Sequence, residues 1–375
     1  MVKRQHYISQ GILKSFCNGS GGLYESMVFE KRLYGTSPLN AMCESYTYEH
    51  EDIAENRIEN DFADLEGAII PKIDALIGKV GAFDNGNGTI SEIKEQMFNL
   101  LPSMLIFYYR SNALLQEYSM GDKKFRIPLM LKKILNDKYI FRLAKLIVEN
   151  YSFCIIKAES AFLISDQYIS TAALKIKSVF VDISNRHIGL KDTIILIPLS
   201  KDYYVAFWHS SDAKMFGKDS VNRLDKERTF RMNRAIINNS YTKCVGPDEA
   251  QLQNMSREWS HQSPTQIFIG HTEKSSSGFT KKKEIFYSRN DEEAFDVLTN
   301  HTTMRHFFEA TGNDRCPCRD GKLFKNCHMK YVKIARPFYE QFGTTSYIGD
   351  ITIDGTPNHE LPIDSWGPMS RRYQI

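Results

Sequence analysis

Between residues 153 and 208 the chain crowds together five short runs of β-branched and aromatic residues: FCIIKA, AFLISD, KSVFVDI, TIILIPLS and YYVAFW. Each run has the length of a strand, and turn-like residues separate them. Parallel strands need a crossover of a dozen or more residues, usually a helix, and these gaps carry no helical pattern. The expectation is a small, mostly antiparallel sheet.

The hundred residues before these runs have a different period. From about residue 51, Ile58, Phe62, Leu65 and Ile69 recur at helical spacing and share one face, which predicts a helix over about 51–77. FDNGNGT is a loop by composition, and Thr89 with Glu92 three residues on is a capping-box pattern opening a second helix over about 90–118. That helix contains LLPSMLIFYYRSNALL, apolar nearly all round, so it is expected to be buried. A third helix is expected over about 126–149, and helical pattern returns over about 220–258 and 291–310. Residues 1–50 read as irregular apart from the amphipathic ISQGILKSF. The expected fold class is α+β: a mainly helical body with a small, mostly antiparallel sheet, plus a small C-terminal module. The expected division is a domain over 1–270, a linker over 271–290 (HTEKSSSGFTKKKE and its flank), a helix and metal module over 291–337, and an irregular tail over 338–375.

A chain of 375 residues with 42% hydrophobic residues can bury a sizeable core without help from a metal. Its formal net charge is only +3, so any nucleic-acid contact has to be local rather than spread over the whole surface. No signal-peptide core and no apolar run of membrane-spanning length occurs, so a cytoplasmic protein without a membrane partner is expected. Four of the seven cysteines are scattered, at Cys17, Cys43, Cys154 and Cys244, and form no disulfide framework.

The other three lie in NDRCPCRDGKLFKNCHMK, residues 313–330. Cys316, Cys318, Cys327 and His328 supply three thiolates and an imidazole, the four ligands a structural zinc takes. Pro317 stiffens the first pair and Gly321 lets the excursion turn back. All four positions are filled locally, so the expected cofactor is one structural zinc ion rather than a catalytic one with an open position. Between Arg315 and Arg336, seven basic residues (Arg315, Arg319, Lys322, Lys325, Lys330, Lys333 and Arg336) face the single acid Asp320. That patch suits contact with RNA, DNA or an acidic protein surface.

The stretch GNDRCPCRDGKLFKNCH resembles the SEC-C motif, a zinc module found at the C-terminus of the bacterial preprotein translocase motor SecA and on many other bacterial proteins. Arg315, Arg319 and Asp320 depart from its usual pattern, and none of them is a ligand. The resemblance implies an interaction role, since in SecA the module contacts a chaperone and the ribosome.

A second constellation lies earlier. At about 100° per residue, Glu55, Glu59 and Glu66 fall along one border of the apolar stripe of the 51–77 helix. Such a row can hold a divalent ion, act as acid and base, or pair with a buried cation. Arg110, embedded in MLIFYYRSNALL, is the cation that would need it. Asp166 ends the FLIS strand, where a side chain either caps a turn or faces a cleft. His6, beside Tyr7, completes the candidate catalytic set of His6, Glu59, Glu66, Arg110 and Asp166. No phosphate loop, H-E-x-x-H or G-x-S-x-G motif occurs.

The ordered pieces KRQHYISQGILKSF, CESYTYE, IENDFADLE, FLISDQ, ILIPLS and MNRAIINNSYTKCVG resemble the bacterial family called domain of unknown function 4238, over residues 3 to about 255. Ser9 stands where that family usually has Pro, and Gln167 and Tyr168 stand where it has Asn-Pro. Asn233 and Asn239 match its helix pattern and can cap or bridge backbone. The resemblance supplies no reaction. Two functions are expected: a zinc-binding protein whose C-terminal module mediates protein or nucleic-acid interaction or, alternatively, a metal-dependent hydrolase. The latter would be a nuclease or toxin-like effector in phage defence, using the carboxylate row with Mg or Mn.

Overall fold

The structure is a computed structural model that describes residues 4–119, 126–176, 188–189, 192–209, 215–260, 265–271, 276–282, 284–299, 304–342 and 373–374. The chain opens with β1 (Arg4–His6), α1 (Gln10–Lys14), β2 (Leu23–Met27), β3 (Arg32–Thr36) and β4 (Cys43–Ser45). Five helices follow: α2 (Arg57–Asp84), α3 (Ile90–Tyr109), α4 (Asn112–Ser119), α5 (Arg126–Ile134) and α6 (Asp137–Asn150). Then come β5 (Ser152–Ala158), β6 (Ile164–Ser165), β7 (Ser170–Ala173), β8 (Thr193–Pro198), β9 (Tyr203–His209), β10 (Val221–Leu224), α7 (Lys226–Asn238), β11 (Lys243–Gly246) and α8 (Glu249–Ser256). The C-terminal part holds β12 (Thr265–His271), β13 (Ser276–Lys282), α9 (Arg289–Thr299), α10 (Met304–Glu309), α11 (Met329–Phe342) and β14 (Tyr373–Gln374).

The fold class is α+β. One sheet has the order β10-β5-β9-β8-β7, antiparallel except for the β10–β5 pair, and a second has the order β3-β2-β11-β6, antiparallel throughout. Every residue of β8 is buried, which explains why TIILIP reads as a continuous apolar run rather than an alternation. Phe98 of α3 lies 6.1 Å from Phe153 and 6.2 Å from Phe207, ring to ring, so the buried helix covers one face of the larger sheet. Ile58, Phe62, Ile69, Ile73, Leu76 and Val80 of α2 are buried in the same core, with Leu65 packed at its edge. Each such side chain contributes about 1.5–3 kcal/mol on burial, so the stripe rather than intrinsic propensity holds α2.

Several expected boundaries move for identifiable reasons. Asn56 takes a left-handed conformation (φ 57°), which starts α2 at Arg57 and leaves Glu55 outside the helix; the apolar stripe then carries α2 to Asp84. The expected 90–118 helix breaks at Arg110 and Ser111. There the Arg110 carbonyl accepts from the Tyr48 hydroxyl at 3.1 Å and Asn112 turns to Thr242 and Asp166. The expected 126–149 helix breaks at Asn136, whose side chain caps α6 by accepting from Tyr139 N. The 220–258 stretch holds two helices and the strands β10 and β11, whose four residues each are too short to show a period. AFLISD pairs in the second sheet, not beside FCIIKA, and residues 1–50 are ordered by β1 to β4 and α1. KSVFVDI lies outside the described residues. Within the stretch expected as a linker lies β13, paired with β12, and Ile285 O and Tyr287 N bond Ala173 of β7.

Candidate functional site

The C-terminal cluster is built by two tight turns and a helix start. Arg315 bridges Leu323, and Cys316 N donates to Lys322 O at 2.9 Å, closing the excursion between the ligand pairs. Within it Arg319 (φ 66°) and Gly321 (φ 78°) both take the left-handed region, the reversal that a glycine permits most cheaply. Phe324–Asn326 forms one 3-10 turn, and His328 O accepts from Tyr331 N and Val332 N at the start of α11. Phe324 (2% exposed) and Cys316 (3%) pack with Val297, Phe307 and Val332, so α9, α10 and α11 supply a small core of their own beneath the ligands.

The ligand atoms of Cys316, Cys318, Cys327 and His328 all lie within 4.8 Å of one another. Cys318 Sγ is 3.7 Å from Cys327 Sγ, and His328 Nδ1 is 3.3 Å from Cys316 Sγ and 3.1 Å from Cys327 Sγ. A tetrahedral zinc with Zn–S bonds of about 2.3 Å sets sulfur–sulfur edges of about 3.8 Å, so the donor set fits one ion. Burial pushes the Cys316 thiol up, but the N–H groups of Cys318 and His328 and the neighbouring thiols outweigh it and bring it below the usual range, while burial and the same neighbouring thiols push the Cys327 thiol up to about 12. Arg315, Arg319, Lys322, Lys325, Lys330 and Lys333 are exposed around the cluster, while Arg336 turns inward to Phe308 O. Among the described residues no other group of three or more Cys, His, Asp or Glu side chains lies close enough to hold an ion.

The second constellation divides. Arg110 is 1% exposed; its Nη2 donates to Glu66 Oε1, and its guanidinium lies 4.6 Å from the ring centroid of Phe62 and 4.9 Å from that of Phe107. Glu66 Oε2 accepts from Ser9 Oγ at 2.8 Å, so both Glu66 oxygens are engaged. Burial works against the Arg110 charge, but Tyr48, Glu66 and Glu59 more than offset it and raise its pKa. His6 is half-buried, within electrostatic reach of Glu66 and Arg110, and burial lowers its pKa. Glu59 is half-buried and faces Arg110, Glu66 and Glu49. Burial is the main reason its pKa rises to about 7, against the pull of Arg110.

Asp166 does not join them. Its carboxylate accepts from Tyr241 N (2.8 Å), Thr242 N (2.8 Å), Thr242 Oγ1 (2.7 Å), Lys243 N (3.1 Å) and Asn112 Nδ2 (3.2 Å), tying β11 to the α3–α4 junction. Asn233 bridges Ala161 O and Leu163 N, and Asn239 bridges both backbone groups of Thr171, so both serve backbone. Ser9, noted in the sequence only as a departure from the family pattern, and Tyr48, which stands out neither by type nor by spacing, hold the Glu66–Arg110 pair.

A pH prediction follows for Glu59. Its folded pKa, about 7, exceeds the 4.5 of an unperturbed Glu, so between these values the folded chain binds more protons than the unfolded one. Its contribution to stability is therefore present at low pH and lost as pH rises from about 4.5 through about 7. The urea midpoint of Glu59→Gln should lose this fall relative to wild type; parallel pH profiles would contradict the assignment.

The family model described as protein of unknown function (DUF4238) matches residues 4–250. No curated protein and no solved structure matches the chain. Among the described residues no helix is long and apolar enough to cross a membrane. The matched span takes in His6, Glu59, Glu66, Arg110 and Asp166 and stops before the Cys/His cluster, which is compatible with a SEC-C-like zinc module. Since that match covers well over half of the 375 residues, the chain belongs to the DUF4238 family.

Proposed function

We propose that Cys316, Cys318, Cys327 and His328 hold one structural zinc ion, and that the SEC-C-like module so formed is the contact surface of a cytoplasmic protein for a polyanionic partner, nucleic acid first. The observation that carries this reading is the closed donor set: four ligand atoms within 4.8 Å, none from elsewhere in the fold. An ion so enclosed organises a surface and does not activate water. Three thiolates against a divalent ion leave one negative charge, which the seven basic residues between Arg315 and Arg336 exceed several-fold. All seven cysteines are unpaired, in keeping with a reducing compartment.

The alternative, a metal-dependent hydrolase in phage defence, needs a second metal group. Glu66 is taken by Arg110 and Ser9, and Asp166 by backbone N–H groups, which leaves Glu59 and His6 as the potential metal ligands of the set with an unengaged atom. That set gives the first reading the advantage.

The test is fluorescence anisotropy of labelled single-stranded RNA and duplex DNA across a salt series, with polyglutamate as the acidic-protein counterpart. For duplex DNA the affinity should fall with salt at a slope of about −0.9 per phosphate contacted. Lys322→Glu/Lys325→Glu/Lys333→Glu should abolish binding with zinc retained. Binding untouched by the triple reversal would place the contact elsewhere on the protein.

A further inference from the structure

The zinc reading makes no use of the polar group around Arg110, and the hydrogen bonds there do not balance. Arg110 Nε and Nη1 are buried and find no acceptor. The hydroxyl of Ser111, the next residue, is buried without a partner, as is that of Tyr168, which feels the Arg110 charge. A buried donor left unpaired costs about 1–3 kcal/mol, more when charged, and native cores hold few. The guanidinium packs against the rings of Phe62 and Phe107 and is tied to Glu66 through Nη2. The Glu66 carboxylate reaches Arg110 through Nη2, and its other oxygen accepts from Ser9. The free donors have no acceptor within hydrogen-bond reach, since Glu59 Oε2, which is itself without a partner, does not bond them.

We propose that this cluster is a binding site for a small ligand carrying an oxyanion, carboxylate or phosphate, received by Arg110 Nε and Nη1 with the Ser111 hydroxyl. Arginine suits this role because its planar fork gives directed donors that lysine does not reproduce. The way in is the half-buried rim formed by Glu59, His6 and Glu66. Glu59 Oε2 and His6 Nε2 are themselves buried without a partner, so the rim side chains that must yield give up no hydrogen bond from those atoms. Glu59 is held largely protonated below neutral pH, so it does not oppose an entering anion there.

Isothermal titration of the full-length, zinc-loaded protein at about pH 6, with inorganic phosphate and with acetate, tests this and separates a phosphoryl from a carboxylate ligand. One of the two probes should bind saturably. Arg110→Lys should weaken that binding by at least about tenfold, the loss of one charge-assisted hydrogen bond, while Glu95→Gln, an exposed α3 residue outside the cluster, keeps it. Should Arg110→Lys fail to fold, Ser111→Ala decides: it removes one donor from a site that otherwise stays intact, and a loss of several-fold is expected. Absence of saturable binding by both probes, or affinity unchanged in the folded variant, overturns the proposal.

Discussion

Replacing Cys316 and Cys318 by Ser together is expected to remove about one equivalent of zinc from the purified protein and to unfold the C-terminal unit while the body stays folded. The energetic case is one-sided. Structural zinc in small modules carries an apparent binding energy of about 10–16 kcal/mol, most of which is folding energy. The core beneath the ligands is small, five buried side chains including Cys316 itself, and cannot offset that loss. The body has a separate and far larger core that draws nothing from the cluster. Hydrogen exchange should therefore show lost protection over α10, the ligand turns and the start of α11, with α2, α3 and β8 unchanged. Retention of full zinc by the double variant would sink the ligand assignment. Collapse of α2 and β8 protection would instead show that the cluster holds up the whole chain.

The second large effect is expected at Asp166. Asp166→Ala strands the N–H groups of Tyr241, Thr242 and Lys243 around a side chain that is itself fully buried, while the Asn112 amide keeps Thr242 Oγ1. At about 1–3 kcal/mol for each buried donor left unpaired, and with some relaxation, a loss of about 3–5 kcal/mol is expected. Asp166→Asn keeps one acceptor oxygen and should cost less. Urea unfolding at constant m-value measures both. A change within about 0.5 kcal/mol for Asp166→Ala, the range of an ordinary surface substitution, would mean that these bonds do not hold β11 in place.

Asp166 also shows where a sequence is legible and where it stops being so. Its position at a strand end is legible, but its carboxylate neither caps a local turn nor joins the other candidates: it accepts from donors distant in sequence. Which donors it would meet was not visible, because they come from residues some seventy-five positions later, where β11 returns beside β6. The stripe of α2, the Thr89 cap and the close strand spacing were legible because each is a local periodicity or a local hydrogen bond. The break at Arg110 was not, since it is made by Tyr48, Thr242 and Asp166, contacts distant in sequence that override an apolar run with strong helical pattern. The Arg110–Glu66 pair was foreseen from charge logic alone, a guanidinium in an apolar helix needing a carboxylate. Its contacts with Phe62 and Phe107, and its bracing by Ser9, come only with the fold. The Cys316, Cys318, Cys327 and His328 cluster is the most legible feature, because its members lie within thirteen residues and owe their meeting to local turns.

X-ray absorption at the zinc edge of the protein as purified tests the central claim most directly. A closed structural site predicts a shell of three sulfurs at about 2.3 Å and one nitrogen at about 2.0–2.1 Å, with no further light atom bound. An added oxygen ligand, or a first shell without three sulfurs, would contradict it.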